Sequence, residues 1–157
     1  MDYPLNECGG WIVPPNARIK DGTTIPDYSQ LGNWCKLGNE CTLGNWCKLG
    51  DWCKLGKECT LGNECTLGKE CTLGNECTLG DECKWLGVIV SAWLTISNVD
   101  GSGRQVKCVL GKCGTKMVEA GCWRGTVEAF VARARNEGRH TYAAVIPAVF
   151  DAIKGGE

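Results

Sequence analysis

The sequence holds one histidine, no apolar run near the ~20 residues that span a bilayer, and a net charge of only −1 over its 157 residues. Each shortage removes a class of function. Without a long apolar segment the chain is not expected to cross or anchor in a membrane. The balance is too even to point to duplex nucleic acid: residues 1–84 carry 8 basic and 12 acidic side chains, and residues 85–157 carry 9 and 6. The opening MDYPLNECGG lacks the charged and apolar stretches of a signal peptide, so a cytoplasmic location is expected. With a single histidine, Cys108, Cys113 and Cys122 form a weak trio for zinc, so no metal site and no cofactor is expected.

What the chain has in excess is Gly (22), Cys (13) and Trp (7). Most of the first two belong to one stretch, Leu31 to Lys84, which is nine consecutive copies of Leu-Gly-x-x-Cys-x. A period of six is neither helical nor a plain strand alternation. Within each hexad, however, Cys at the fifth place, a variable sixth residue and the next Leu alternate in, out, in, which makes a short strand. The Gly-Asn, Gly-Asp and Gly-Lys pairs that follow suit a sharp corner, where Gly and Asn tolerate positive φ. The same register runs backward through Ile25, Ile19 and Val13, with Ser29, Thr23 and Ala17 in the small slot. Twelve hexads therefore span residues 13–84, and residues 1–12 are left to cap the open end.

This unit resembles the hexapeptide repeat of left-handed parallel β-helix proteins, with Cys in the place of the small residue. The resemblance implies a mainly β fold in which three hexads close one triangular coil, here about four coils, followed by a small C-terminal α+β module over residues 85–157. It also implies self-association, as trimer or dimer. Nine repeat cysteines then point inward as buried, reduced thiols that pack as small hydrophobes.

Three hexads per coil stack outward residues 18 apart. One face then carries Trp34 and Trp52 beside Arg18, Lys36 and Lys54; a second carries Glu40, Glu58 and Glu76 beside Thr24, Thr42, Thr60 and Thr78. A third carries Tyr28 and Trp46 beside Lys48. Past Lys84, VIVSAWLTISNV reads as β-prone sequence, DGSG and LGK as turns of a small antiparallel sheet. Thr126 is a candidate N-cap for a helix with Val127, Phe130, Val131 and Ala134 on one face and Gly138 at its end. Thr141 is placed at the start of a second helix with Ile146, Val149, Phe150 and Ile153 as its stripe, kinked or delayed by Pro147. The phrases SNVDGSGR and AGCWRGT are similar to the end domain of small phage-encoded hexapeptide-repeat proteins without an established activity.

Hexapeptide-repeat acyltransferases use a His base that projects from the coil, but His140 falls in the link between the two expected helices and no loop leaves the coils, so no catalytic residue is assigned. The Glu column reads as a solvated face. The expected recognition surface is Trp34, Trp52, Lys36, Lys54, Arg18, Tyr28, Trp46 and Lys48, with Arg133, Arg135 and Arg139 as a second, basic surface. The functional expectation is a non-catalytic binding protein. On the phage resemblance it is an accessory, anti-defence protein in the host cytoplasm that blocks a host factor or sequesters a nucleotide-like molecule; acyl transfer and a purely structural oligomer are the alternatives.

Overall fold

The computed structural model describes residues 3–153; the first two residues, on which the cap and leader readings partly rest, and the last four of the C-terminal module lie outside the described residues. The chain divides into two compact units, Met1–Trp85 and Leu86–Glu157.

In the first unit every hexad contributes a two-residue strand or a bridge. The strands are β1 (Ile12–Val13), β2 (Arg18–Ile19), β3 (Thr24–Ile25), β4 (Gln30–Leu31), β5 (Lys36–Leu37), β6 (Thr42–Leu43), β7 (Lys48–Leu49), β8 (Lys54–Leu55), β9 (Thr60–Leu61), β10 (Thr72–Leu73), β11 (Thr78–Leu79) and β12 (Lys84–Trp85). They pair in parallel as β1-β4-β7, β2-β5-β8-β10 and β3-β6-β9-β11, each strand with the one 18 residues on. Thr66 bridges Lys48 and Lys84 and so brings β12 onto the first of these faces. The result is a β-solenoid of about four turns. Rungs are tied by bonds such as Lys36 N–H to Ala17 C=O (2.9 Å) and Gly38 N–H to Ile19 C=O (2.8 Å).

The second residue of each strand is buried, except in β11, where Leu79 is half-buried. Eight repeat cysteines are fully buried and Cys77 is half-buried; all are free. Their thiols do more than fill space. Each Sγ donates to a carbonyl 21 residues earlier at 3.1–3.4 Å, for example Cys59 to Gly38 and Cys77 to Gly56. That carbonyl is partly buried, where a hydrogen-bond partner is worth having, so a small side chain with a donor suits the slot. In the degenerate first coil, with no coil before it, Ser29 and Thr23 instead donate to Pro26 and Lys20 of their own hexads, carbonyls that Cys47 and Cys41 of the next coil share.

The corners differ from the sequence expectation. Positive φ falls on the fourth residue of the hexad, not on the Gly or the Asn: Tyr28, Trp34, Trp46, Trp52, Glu40, Glu58, Glu64, Glu70, Glu76 and Glu82 lie between 55° and 65°. The repeat Gly serves close approach instead. A Cβ on Gly56 would sit 2.7 Å from the carbonyl carbon of Gly38 one coil away. The third residue holds the corner from the side: Asp21 Oδ1 accepts from Asn39 N–H, and Asn39 Oδ1 from Lys57 N–H, both at 2.8 Å.

At the open end the residues before β1 fold back, with Ile12 N–H donating to Pro4 C=O and Trp11 N–H to the Ser29 hydroxyl. Pro14, Pro15 and Pro26 lie at second and third places of the first coil, where later hexads donate N–H groups to the coil before, as Gly38 does to Ile19 and Asn39 to Asp21. With no coil before them, prolines remove donors that would be left unpaired.

The second unit is an antiparallel sheet of β13 (Val88–Ser97), β14 (Gln105–Gly111), β15 (Lys116–Ala120) and β16 (Trp123–Thr126), followed by α1 (Val127–Asn136) and α2 (His140–Ala152). The helices cover one face of the sheet through Val106, Cys108, Val118, Phe130, Tyr142, Ile146 and Phe150. Thr126 caps α1 by accepting from Ala129 N–H at 3.3 Å, and Gly138 follows its end at φ 73°. Thr141 does not open α2: the helix starts one residue earlier at His140, which is therefore not in a link, and Arg139 is its N-cap. Pro147 lies inside α2. No helix among the described residues is long and apolar enough to cross a membrane.

Candidate functional site

Because the fourth residue of each hexad turns the corner, its side chain runs along an edge of the solenoid and not on a flat face. Three edges result: Asn16, Trp34, Trp52 and Glu70; Gly22, Glu40, Glu58 and Glu76; and Tyr28, Trp46, Glu64 and Glu82. Sequence columns placed Trp34 with Lys36 and Tyr28 with Lys48 on separate faces. The structure brings both aromatic pairs to the two edges of one face, whose outward residues are Ile12, Gln30 and Lys48 on β1, β4 and β7. Trp34 and Trp52 also border the next face, where Arg18, Lys36 and Lys54 align on β2, β5 and β8.

The rings are ordered on one another. Trp34 and Trp52 stack with centroids 4.9 Å apart and planes 5° from parallel; Tyr28 and Trp46 stack at 6.2 Å and 5°. They remain open to solvent, at 51% and 38% for the first pair and 42% and 47% for the second, and Ile12, one rung before them on the same face, is 43% exposed. The 18-residue register supplies the spacing, since neighbouring rungs lie ≈ 4.8 Å apart.

The second basic surface divides. Arg133 and Arg139 meet around Glu137, at 3.1 and 3.5 Å, and Arg139 also reaches Asp100 at 3.4 Å. Arg135 instead lines a groove of about 420 Å³ with Lys116, Val131, Pro147 and Phe150. His140 is exposed at the start of α2.

Three features escaped the sequence. Lys107 and Glu119 face each other across β14 and β15 as a buried pair at 3.2 Å. Their cross-strand places could not be paired before the hairpin was known. Trp123 packs against Phe130 at 5.7 Å and under the Arg133 guanidinium at 5.7 Å. Tyr142 is fully buried with its hydroxyl unbonded.

The thiols sort by environment. Burial pushes the pKa of Cys59 up to about 11 and that of Cys108 up to about 12, the neighbouring Cys65 thiol lowers that of buried Cys47, and hydrogen bonding to Thr115 lowers that of Cys113 on an exposed turn. Among the described residues no group of His, Cys, Asp and Glu side chains could hold a metal ion. Comparison with models of protein families, with curated proteins and with solved structures found no match to this chain.

Proposed function

We propose that this chain is a non-catalytic interaction protein that recognises another protein through the aromatic-bounded face of its β-solenoid. The carrying observation is the pairing of Trp34 with Trp52 and of Tyr28 with Trp46 at corner positions that the same repeat elsewhere fills with Glu at the same φ. The coil does not need aromatics there, and three half-exposed indoles and one phenol stand along the two edges of a face centred on Gln30 and Lys48, where rigid aromatic anchors suit a protein interface. Lys48 within the face and Arg18, Lys36 and Lys54 beside it favour a partner that offers carboxylates around an apolar centre.

A nucleotide-like ligand suits the site less well. A base inserted between two rings needs them about 7 Å apart, twice the thickness of an aromatic layer, whereas the pairs stand at 4.9 and 6.2 Å. Membership among hexapeptide-repeat proteins, and among their phage-encoded members, belongs to the same proposal and rests on the repeat and the C-terminal phrases. On that reading the partner is a host factor that the protein blocks in the host cytoplasm.

A photo-reactive amino acid at Gln30, in the middle of the face, tests this against the same group at Thr60 on the threonine face. A discrete adduct to a different protein from Gln30 and not from Thr60 is expected. Adducts only to a second copy of the chain, or equal adducts from both positions, would refute the proposal.

A further inference from the structure

In the second unit, Arg104, Trp123, Arg133, Glu137, Arg139 and Tyr142 line a small cavity beside α1 and α2, with room of about 10 Å³. Two donors in it are unused. Tyr142 is 0% exposed and its hydroxyl makes no hydrogen bond. Among the described residues the Arg104 guanidinium enters no ion pair or hydrogen bond, although the residue is half-buried.

The remaining charges are arranged around these two. Arg133 and Arg139 share Glu137, and Arg139 also takes Asp100 from the β13–β14 turn, so three guanidiniums stand against two carboxylates. Asp100 is held below its ordinary pKa, first by Ser102 and in smaller part by the nearby Tyr142 hydroxyl, although the two do not meet in hydrogen-bond geometry. A buried hydroxyl without an acceptor calls for one from outside, and the guanidiniums of Arg104, Arg133 and Arg139 around it suit an oxoanion best. Room of about 10 Å³ admits one water-sized atom, which is the size of a single oxyanion oxygen.

We infer that this cavity is a binding site for a tetrahedral oxoanion of the phosphate class, one oxygen of which enters to accept from Tyr142 while the others meet Arg104 and Arg133 at the mouth. The site lies in a different unit from the aromatic-bounded face and does not depend on that reading. Arg135, on the far side of α1, takes no part.

Inorganic phosphate, titrated by calorimetry at constant ionic strength, is the probe, with acetate as a planar comparison. Saturable one-site binding of phosphate is expected, at least fivefold tighter than acetate. Tyr142→Phe, which keeps the ring edge-on to Phe130, and Arg104→Gln should each weaken it at least fivefold, and Arg135→Gln should leave it unchanged. A thermal melt of each variant establishes that the fold is retained. Absence of saturable binding, affinity indifferent to Tyr142→Phe, or an equal loss with Arg135→Gln would overturn the inference; the first two mean that the cavity holds only a water.

Discussion

Gly56→Ala and Glu58→Gly, two residues apart in one hexad, should move stability in opposite directions. A methyl on Gly56 would stand 2.7 Å from the carbonyl carbon and oxygen of Gly38 and 2.4 Å from Asn39 Oδ1. Ordinary carbon contact is about 3.5 Å, so the two coils must part by nearly an ångström at this corner. The shift stretches the bonds from Gly56 N–H to Leu37 C=O (3.0 Å) and from Lys57 N–H to Asn39 Oδ1 (2.8 Å). Overpacking of about 1–3 kcal/mol and about 1 kcal/mol for each weakened hydrogen bond outweigh the 0.4–1 kcal/mol that Ala gains by restricting the unfolded chain. The net expectation is a loss of roughly 2–4 kcal/mol, or a fall in Tm of about 5–15 °C. Glu58, at φ 57°, sits where an L-residue costs about 1–2 kcal/mol and Gly costs nothing. After the extra chain entropy of Gly, about 0.5–1 kcal/mol, the substitution should stabilise by several tenths of a kcal/mol. Thermal and urea melts followed by circular dichroism read both. A neutral Gly56→Ala together with a destabilising Glu58→Gly would refute the corner assignment and with it the edges on which the aromatic residues are placed.

Under native conditions a thiol reagent should leave the nine repeat cysteines and Cys108 unmodified until the protein is denatured, because they are buried or half-buried and burial raises the pKa of Cys59 and Cys108. Cys113 should react first. Its lowered pKa gives it more thiolate at neutral pH, and the excess of its rate over those of the other exposed thiols should shrink as pH rises above the ordinary thiol range and all ionise; Thr115→Val should slow it. Lys107→Met should cost up to about 3–5 kcal/mol in a urea melt by removing the buried ion-pair partner at 3.2 Å from Glu119, and adding Glu119→Leu should recover most of that loss.

The repeat was legible because its period sets which residues point inward; that three hexads make a turn, and therefore which residues stack, came from the family resemblance and is met by the 18-residue strand pairing. Val13, Ile19 and Ile25 carry the same signal in degenerate form. The corner was misread because Gly and Asn are the usual residues at positive φ, whereas here the rigid rungs on either side force Glu and Trp into it. A hint was present: the first coil has Asn16 and Gly22 at the fourth place. Misplacing the corner also hid that the two aromatic pairs border one face. In the second unit the sheet turns and the Thr126 cap were readable from local chemistry. The start of α2 was not, because Arg139 takes the cap position while its side chain is held by Asp100 and Glu137, a tertiary contact 39 residues apart in sequence for the first of them. The cavity around Tyr142 draws on two strands, a turn and both helices, and no short motif marks it.

The central claim is that the aromatic-bounded face is the recognition surface, and the affinity of the protein cross-linked through Gln30 for the Trp34→Glu, Trp52→Glu variant tests it most directly. Glu70 already occupies the same edge at φ 55°, so the coil should melt within about 0.5 kcal/mol of the parent. Removing two stacked indoles from an interface typically costs 2 kcal/mol or more each, so affinity should fall at least a hundredfold. Affinity within threefold of the parent, with unchanged melting, would contradict the account.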